Sequence, residues 1–264
     1  MTEARELLKE GRLADAIEAV TRDVKAQPSD ETRRMFLFEL LLFAGQWERA
    51  QKQLDAAAGR DAQSEAGAQV YRNNLNAMRA RERLWDEGLV PHFISEPPQE
   101  VKLHLAAIGE WRAGRPGEAR KLLAEAAERR RPLAGRVNGR EFPDWRDADD
   151  AVAPVLELII SDKYTWLPFS QVSRLEFETP RRLRDLIWCP VRALTRAGVA
   201  GELLVPALYE GSSRHDDERV RLGRMTVWEG DEEGDGLPRA FGLRLFLAGD
   251  DELTLFEAGR VDFD

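Results

Sequence analysis

Residues 11–20, GRLADAIEAV, and residues 45–54, GQWERAQKQL, carry one pattern at two places. Gly11, Leu13, Ala16 and Val20 match Gly45, Trp47, Ala50 and Leu54 at a constant offset of 34 residues. The frame returns at Gly114, Pro116, Ala119 and Leu123, a further 69 residues on. A period of 34 is that of the tetratricopeptide helix–turn–helix. Each glycine closes the first helix of a pair, where a left-handed residue is needed. Each alanine is small because the paired helices approach closely. Pro28 stops the second helix of the first pair. The repeats are degenerate: Phe38 stands where a small residue is usual, and Arg34 where a large apolar one is. Residues 65–87 are helical but lack the glycine. Two clear pairs, a third pair and an irregular helix between them make a short solenoid, which needs its ends covered.

Outward from the repeats, the chain changes character between 130 and 150. Ala, Leu, Glu and Arg give way to Val, Trp, Phe and Thr in short alternating runs. Strands are expected over 175–177, 203–208, 225–228, 243–247 and 253–256. Turns separate them at 198–201, 210–213, 230–236 and 249–251. A last helix is expected over 149–162, with Asp147, Asp149 and Asp150 favouring its first turn. The fold class is α+β. Tetratricopeptide-like repeats occupy 1–135, and a compact β-rich domain with a small antiparallel sheet or barrel occupies 136–264.

Composition excludes several classes. The 264 residues are 33% charged and 43% hydrophobic, as in an ordinary globular protein. A net charge of −9 argues against a general nucleic-acid binder. No apolar run reaches the ~18 residues of a membrane span, and the N-terminus lacks a signal-peptide centre. The single cysteine, Cys189, fits a reducing compartment, so a cytoplasmic location is expected. His92, His104 and His215 are scattered, with no HExxH, so no metal site is expected. No phosphate-binding glycine loop and no GxSxG occur, so no cofactor is expected either. Ser212, Ser213, His215 and Asp216 read as a polar loop. Asp231, Glu233 and Asp235 imitate a calcium loop, but its twelfth position is Gly242 and not glutamate. Trp166, Trp188 and Trp228 read as core of the rear domain.

The strongest candidate surface is the inner face of the repeats, where such arrays hold a peptide or helix. Leu8, Met35, Glu39, Leu42 and Phe43 point inward from the first helices, and His104, Ile108, Trp111 and Arg112 from the last pair. Core packing is the competing reading for Leu42 and Phe43. Two other classes stay open. An enzyme would use an acid–base site near Asp147, Asp149, Tyr164, Arg184 and Asp185, and requires these groups to converge. An RNA-binding scaffold would use 101–140, which holds ten basic and four acidic residues, Arg129, Arg130 and Arg131 among them. The open ends of the array leave an oligomer conceivable.

The rear half also carries specific motifs: FPDWRDADD, the run from APVLELIISDKYTWLPFS to LRDLIWCPVRA, LVPALYEGS and LGRMTVW. With GRLADAIEAV and FLFELLLFAGQWERAQKQLDA they resemble the ImpE/TagJ family of bacterial type VI secretion accessory proteins, over nearly the whole chain. The match is densest at Trp145, Asp147, Asp149, Pro154, Glu157, Tyr164 and Trp166. It continues through Arg184, Asp185, Trp188, Tyr209, Ser212 and Trp228, and is loose over 230–264. Ala153 departs from a common glycine. The resemblance implies a helical front, an α+β rear and a non-enzymatic adaptor. It also implies two partners. One is the N-terminal helix of the small sheath subunit. The other is the ClpV-type AAA+ ATPase that recycles the sheath.

Overall fold

The computed structural model describes residues 1–58, 62–230 and 237–264. Helices α1 (Thr2–Lys9) and α2 (Leu13–Ala26) form the first pair, and α3 (Glu31–Phe43) and α4 (Trp47–Ala57) the second. One continuous helix, α5 (Ala62–Glu87), follows where the repeat glycine is missing, then the pair α6 (Gln99–Arg112) and α7 (Pro116–Arg129). Gly11, Gly45 and Gly114 all have positive φ, at 82°, 63° and 72°, and Ala16, Ala50 and Ala119 are completely buried. At Gly45 a second constraint applies, because a Cβ there would lie 2.5 Å from Ser213 Oγ. The turns at Gly11 and Gly45 therefore lie against the rear half of the chain, while the space at Gly114 is open.

That half contains β1 (Gly135–Val137), β2 (Arg140–Phe142), β3 (Trp145–Asp147), β4 (Val155–Ile160), β5 (Lys163–Pro168), β6 (Val172–Phe177), β7 (Trp188–Thr195) and β8 (Ala200–Pro206). A short helix α8 (Glu218–Arg221) comes next. Then follow β9 (Thr226–Glu229), β10 (Arg239–Gly242), β11 (Leu245–Ala248), β12 (Asp251–Thr254) and β13 (Arg260–Phe263). An eight-stranded sheet runs in the order β2-β1-β13-β6-β7-β8-β4-β5, beside a three-stranded sheet β12-β11-β3 and the pair β10-β9. These strand pairings are antiparallel.

The expected helix over 149–162 is corrected. Only a 3-10 turn, Asp150–Val152, forms there, with Asp149 accepting from the Ala151 N–H. β4 follows, because Pro154 breaks the helix and VLELII is buried on both faces. Val155 and Ile159 face the helices, while Leu156 and Leu158 face the rear core. A strand covered on both sides loses the alternation that would betray it. Ala153 lies in the right-handed region, so a Cβ is tolerated there.

Two cores result. The rear core lies among the strands, around Trp145, Phe169, Phe246 and Phe263. The front core runs across both halves of the chain, joining Phe38, Leu41, Phe43 and Ile108 from the helices to Tyr164, Trp166, Ile187 and Trp188 from the strands. The strands thus cover the array that could not cover itself.

Candidate functional site

The nine residues expected on the inner face separate into two groups. Leu42, Phe43 and Ile108 are at most 1% exposed, and His104 is buried with Nδ1 3.1 Å from the Ala151 carbonyl oxygen. These four are buried inside the protein, so an incoming partner would have to displace what covers them to reach them. Apolar periodicity marks a face that must be covered; α3 packs on α2, α4 and the 3-10 turn Leu183–Leu186, and α6 on α5, α7 and the 3-10 turn Asp150–Val152. Trp111 is half-buried, edge-on to Trp85 at 6.0 Å. Arg112 is exposed and folds over the turn at Gly88. Leu8, Met35 and Glu39 stay half-buried. Met35 and Glu39 line an open groove of about 380 Å³ between α1 and α3, with Met1, Arg5, Glu31, Thr32 and Phe36. Glu39 pairs with Arg184 at 3.0 Å; burial raises its pKa in spite of that pair.

The five groups weighed for acid–base work do not converge. Asp185 accepts the backbone N–H groups of Arg181 and Arg182, both at 2.9 Å. Arg184 lies over the Tyr71 ring and on Glu39. Asp147, Asp149 and Tyr164 belong to a different, fully buried network. Its centre is Glu157 on β4, which accepts Arg81 Nε at 2.8 Å and Nη2 at 2.7 Å. Glu157 also accepts from Tyr164 Oη and from Arg244 Nη2. Arg244 donates in addition to Asp147, which takes the Tyr209 hydroxyl at 2.8 Å. Asp149 accepts Arg239 Nε at 2.8 Å, and the Arg239 guanidinium lies 3.4 Å from the Trp85 ring centre.

Three arginines meet three carboxylates, and every one of these carboxylates is satisfied. Such an arrangement fixes orientation; it leaves no room for a substrate between acid and base. The electrostatics agree. Burial alone would raise the Glu157 pKa, but Arg81 and Arg244 hold it well below the carboxylate range. Burial pushes Asp147 up to about 7, with Arg244 opposing and Asp149 adding to the rise. Burial and Glu157 together drive Tyr164 well above its ordinary value. The acid–base reading thus lacks the converging pocket it requires. No local pattern in the sequence marks Arg81, Arg239, Arg244 or Tyr209 as buried, because their partners lie far away along the chain.

Cys189 is a buried core residue of β7, its thiol pushed up to about 12 by burial. Ser212 donates to the Tyr209 carbonyl and accepts the Gly242 N–H, while His215 lies 2.9 Å from Glu229. That loop is polar structure. Trp166 and Trp188 are core, whereas Trp228 is 47% exposed on β9. The calcium-like run 231–236 lies outside the described residues. Among the described residues no cluster of His, Cys, Asp or Glu could hold a metal ion, and no helix is long and apolar enough to cross a membrane. In the basic stretch, Arg129 pairs with Glu125, Arg130 with Asp144, and Arg140 with Asp251. A cleft of about 520 Å³ lies between α7 and the 3-10 turn.

Comparison with known proteins now becomes decisive. The family model for ImpE protein matches residues 139–262. The type VI secretion system accessory component TagJ of Pseudomonas aeruginosa is 37% identical over 262 residues, spanning 99% of this chain and 91% of that protein. The chain belongs to the ImpE family. The crystal structure of a Vibrio parahaemolyticus protein shares the fold, with a TM-score of 0.89 at 24% identity, covering 99% of this chain and 97% of that one. The ImpE match begins just before β2 and ends within β13, so it takes in every strand but β1 and the whole acidic side of the buried network. Arg81 reaches that ImpE region from α5 in front. Among the residues that carry the resemblance, Glu157 takes Arg81 of α5 and so ties the helical array to the strands, while Asp147, Asp149, Tyr164 and Tyr209 complete the buried network around it.

Proposed function

We propose that this chain is a non-catalytic accessory adaptor of bacterial type VI secretion, working in the cytoplasm. It captures the N-terminal helix of the small sheath subunit and is linked to the ClpV-type ATPase that recycles the sheath. Kinship with TagJ supports the system. The observation that carries the helix-binding step is the groove between α1 and α3. It is the part of the repeat face that the strands leave open, and it is lined by Met1, Met35 and Phe36 with Arg5, Glu31 and Glu39 at hand. Flexible methionines beside an aromatic ring suit an apolar helix face, and mixed charges at the rim suit its polar flank. Helices in grooves are held by apolar anchors three or four residues apart.

The test is fluorescence anisotropy with a labelled peptide of the sheath subunit's first helix. The full chain should bind it. Met35→Asp should weaken binding at least tenfold, on the scale of a central apolar contact, while Arg112→Ala leaves it unchanged. Leu42→Asp is a poor probe, since Leu42 is 1% exposed and the change would unfold the core. Absence of binding, or binding indifferent to Met35→Asp, would defeat the groove.

A further inference from the structure

The cleft behind α7 holds two polar groups of opposite kind that no described residue satisfies. His104 forms its floor and is 4% exposed. A carbonyl oxygen only accepts, so Nδ1 must donate to Ala151 O. Burial pushes the ring down to about 4, so it is neutral at pH 7. Its Nε2 is then a lone-pair acceptor, and it has no partner among the hydrogen bonds found. Arg146 stands at the rim. Its Nη1 donates to Asp150 at 2.6 Å and to the Asp147 carbonyl oxygen at 3.3 Å. No bond engages its Nε–Nη2 edge, the planar fork that grips a carboxylate with two parallel bonds. The two sites are neighbours along the chain, because Arg146 leans on Asp150 and His104 on Ala151. The wall carries the apolar Leu123, Ala124, Ala127, Ala153, Leu237 and Pro238 together with two further arginines, Arg120 and Arg130, the latter paired with Asp144. A volume of about 520 Å³ falls in the range of small-molecule sites.

We infer that this cleft binds a small apolar carboxylate. The ligand's acid meets the open edge of Arg146, its hydrogen-bond donor reaches His104 Nε2, and its body lies along Ala124 and Ala127. The inference is independent of sheath-helix capture, which uses the opposite end of the array. Its geometry also explains why a histidine is buried here with only one of its nitrogens committed.

Indole-3-acetate has all three parts: a carboxylate, a flat apolar ring and one N–H donor. Isothermal titration of the full chain should give a dissociation constant on the order of 1 mM, as expected for a ligand of this size. Indole-3-acetamide, which lacks the charge, should bind at least tenfold more weakly, and so should the acid to Arg146→Gln. Ala124→Trp fills the cleft from an exposed position of α7 and should abolish binding while circular dichroism and Tm are kept. Arg49→Gln, on the far side of the array, should change nothing. In nitrogen-15 spectra the His104 Nε2 resonance should move on saturation with the acid. No heat at 10 mM acid would overturn the inference. So would binding that survives Ala124→Trp, equal affinity for acid and amide, or a stationary His104 resonance.

Discussion

Two of the attachments that fasten the helical array to the rear half work by opposite means. At the first turn, around Gly11, Glu218 of α8 accepts the Leu13 and Ala14 N–H groups at 2.8 Å each. Arg224 donates to the Leu8 and Lys9 carbonyls. A carboxylate meets the start of α2 and a guanidinium the end of α1, which is where each helix offers the matching partial charge. Water reaches this clamp, since Arg224 is exposed and Glu218 half-buried. At the second place, Arg81 of α5 is sealed against Glu157, with side-chain exposures of 3% and 2%. The difference teaches how burial changes the rules. The exposed clamp is made of separable bonds, each worth little. The buried network must be complete, because any charge left over inside has neither water nor partner.

The comparison predicts its own largest effect. Arg81→Met should destabilise the fold by about 3–5 kcal/mol, the usual consequence of stranding a buried ion partner. Urea unfolding followed by tryptophan fluorescence measures it. Glu157→Gln should be comparably harmful alone. The double variant should lose clearly less than the sum of the two, because the second change removes the charge that the first one strands. Additive losses below about 1 kcal/mol each would mean that the network does not behave as one unit.

These two attachments were unequally legible in the sequence. The turn at Gly11 is written locally: glycine, spacing and alanine all lie within ten residues. The buried network is not. Asp147 and Asp149 stand out at once, but their partners are 97 and 90 residues away, and Arg81 is 76 residues from Glu157. Residue type alone suggested a cap or an acid–base pair, since both use carboxylates near a helix start. The run at β4 was hidden for a related reason, because neighbours on both faces erased its alternation. The inner face was read correctly as apolar at Leu42, Phe43 and Ile108. Periodicity says that such a face is covered and is silent about what covers it. Long-range pairing is thus the common missing term, while helix turns, short strands and the change of character near 130–150 follow from neighbours in sequence.

A second effect separates buried neutral groups from buried ion pairs. His104 titrates at 6.5 when free and at about 4 in the fold, because burial disfavours its charged form. Between those values the unfolded chain binds a proton that the folded chain refuses, so stability rises with pH across that window and is lost as pH falls from 6.5 towards 4. The full move is worth about 3 kcal/mol. Asp147 works the other way. Its pKa is raised from 3.8 to about 7, so it removes stability as pH rises through the same range. Urea titrations at pH 4.5 and 7 of wild type and His104→Gln isolate the histidine. The variant should lose about 2–3 kcal/mol of that pH dependence relative to wild type. Equal pH dependence would show that His104 keeps its ordinary pKa and is reached by water.

The smallest effect tests the exposed clamp. Glu218→Ala removes the acceptor for two N–H groups at the start of α2 and should destabilise by about 1 kcal/mol, the typical value of a lost N-terminal cap. Water can take over both N–H groups, which is why the loss stays below that of Arg81→Met. The consequence is local. Amide exchange should quicken at Leu13 and Ala14 and along α1, while Leu75 and Ala77, buried on α5, keep their protection. Raised salt should weaken the wild-type clamp and leave the Arg81 network unchanged, since screening acts on charges that water reaches. If Glu218→Ala instead loosened α5 together with α1, the two attachments would be coupled. The array would then detach from the strands as one piece, not turn by turn.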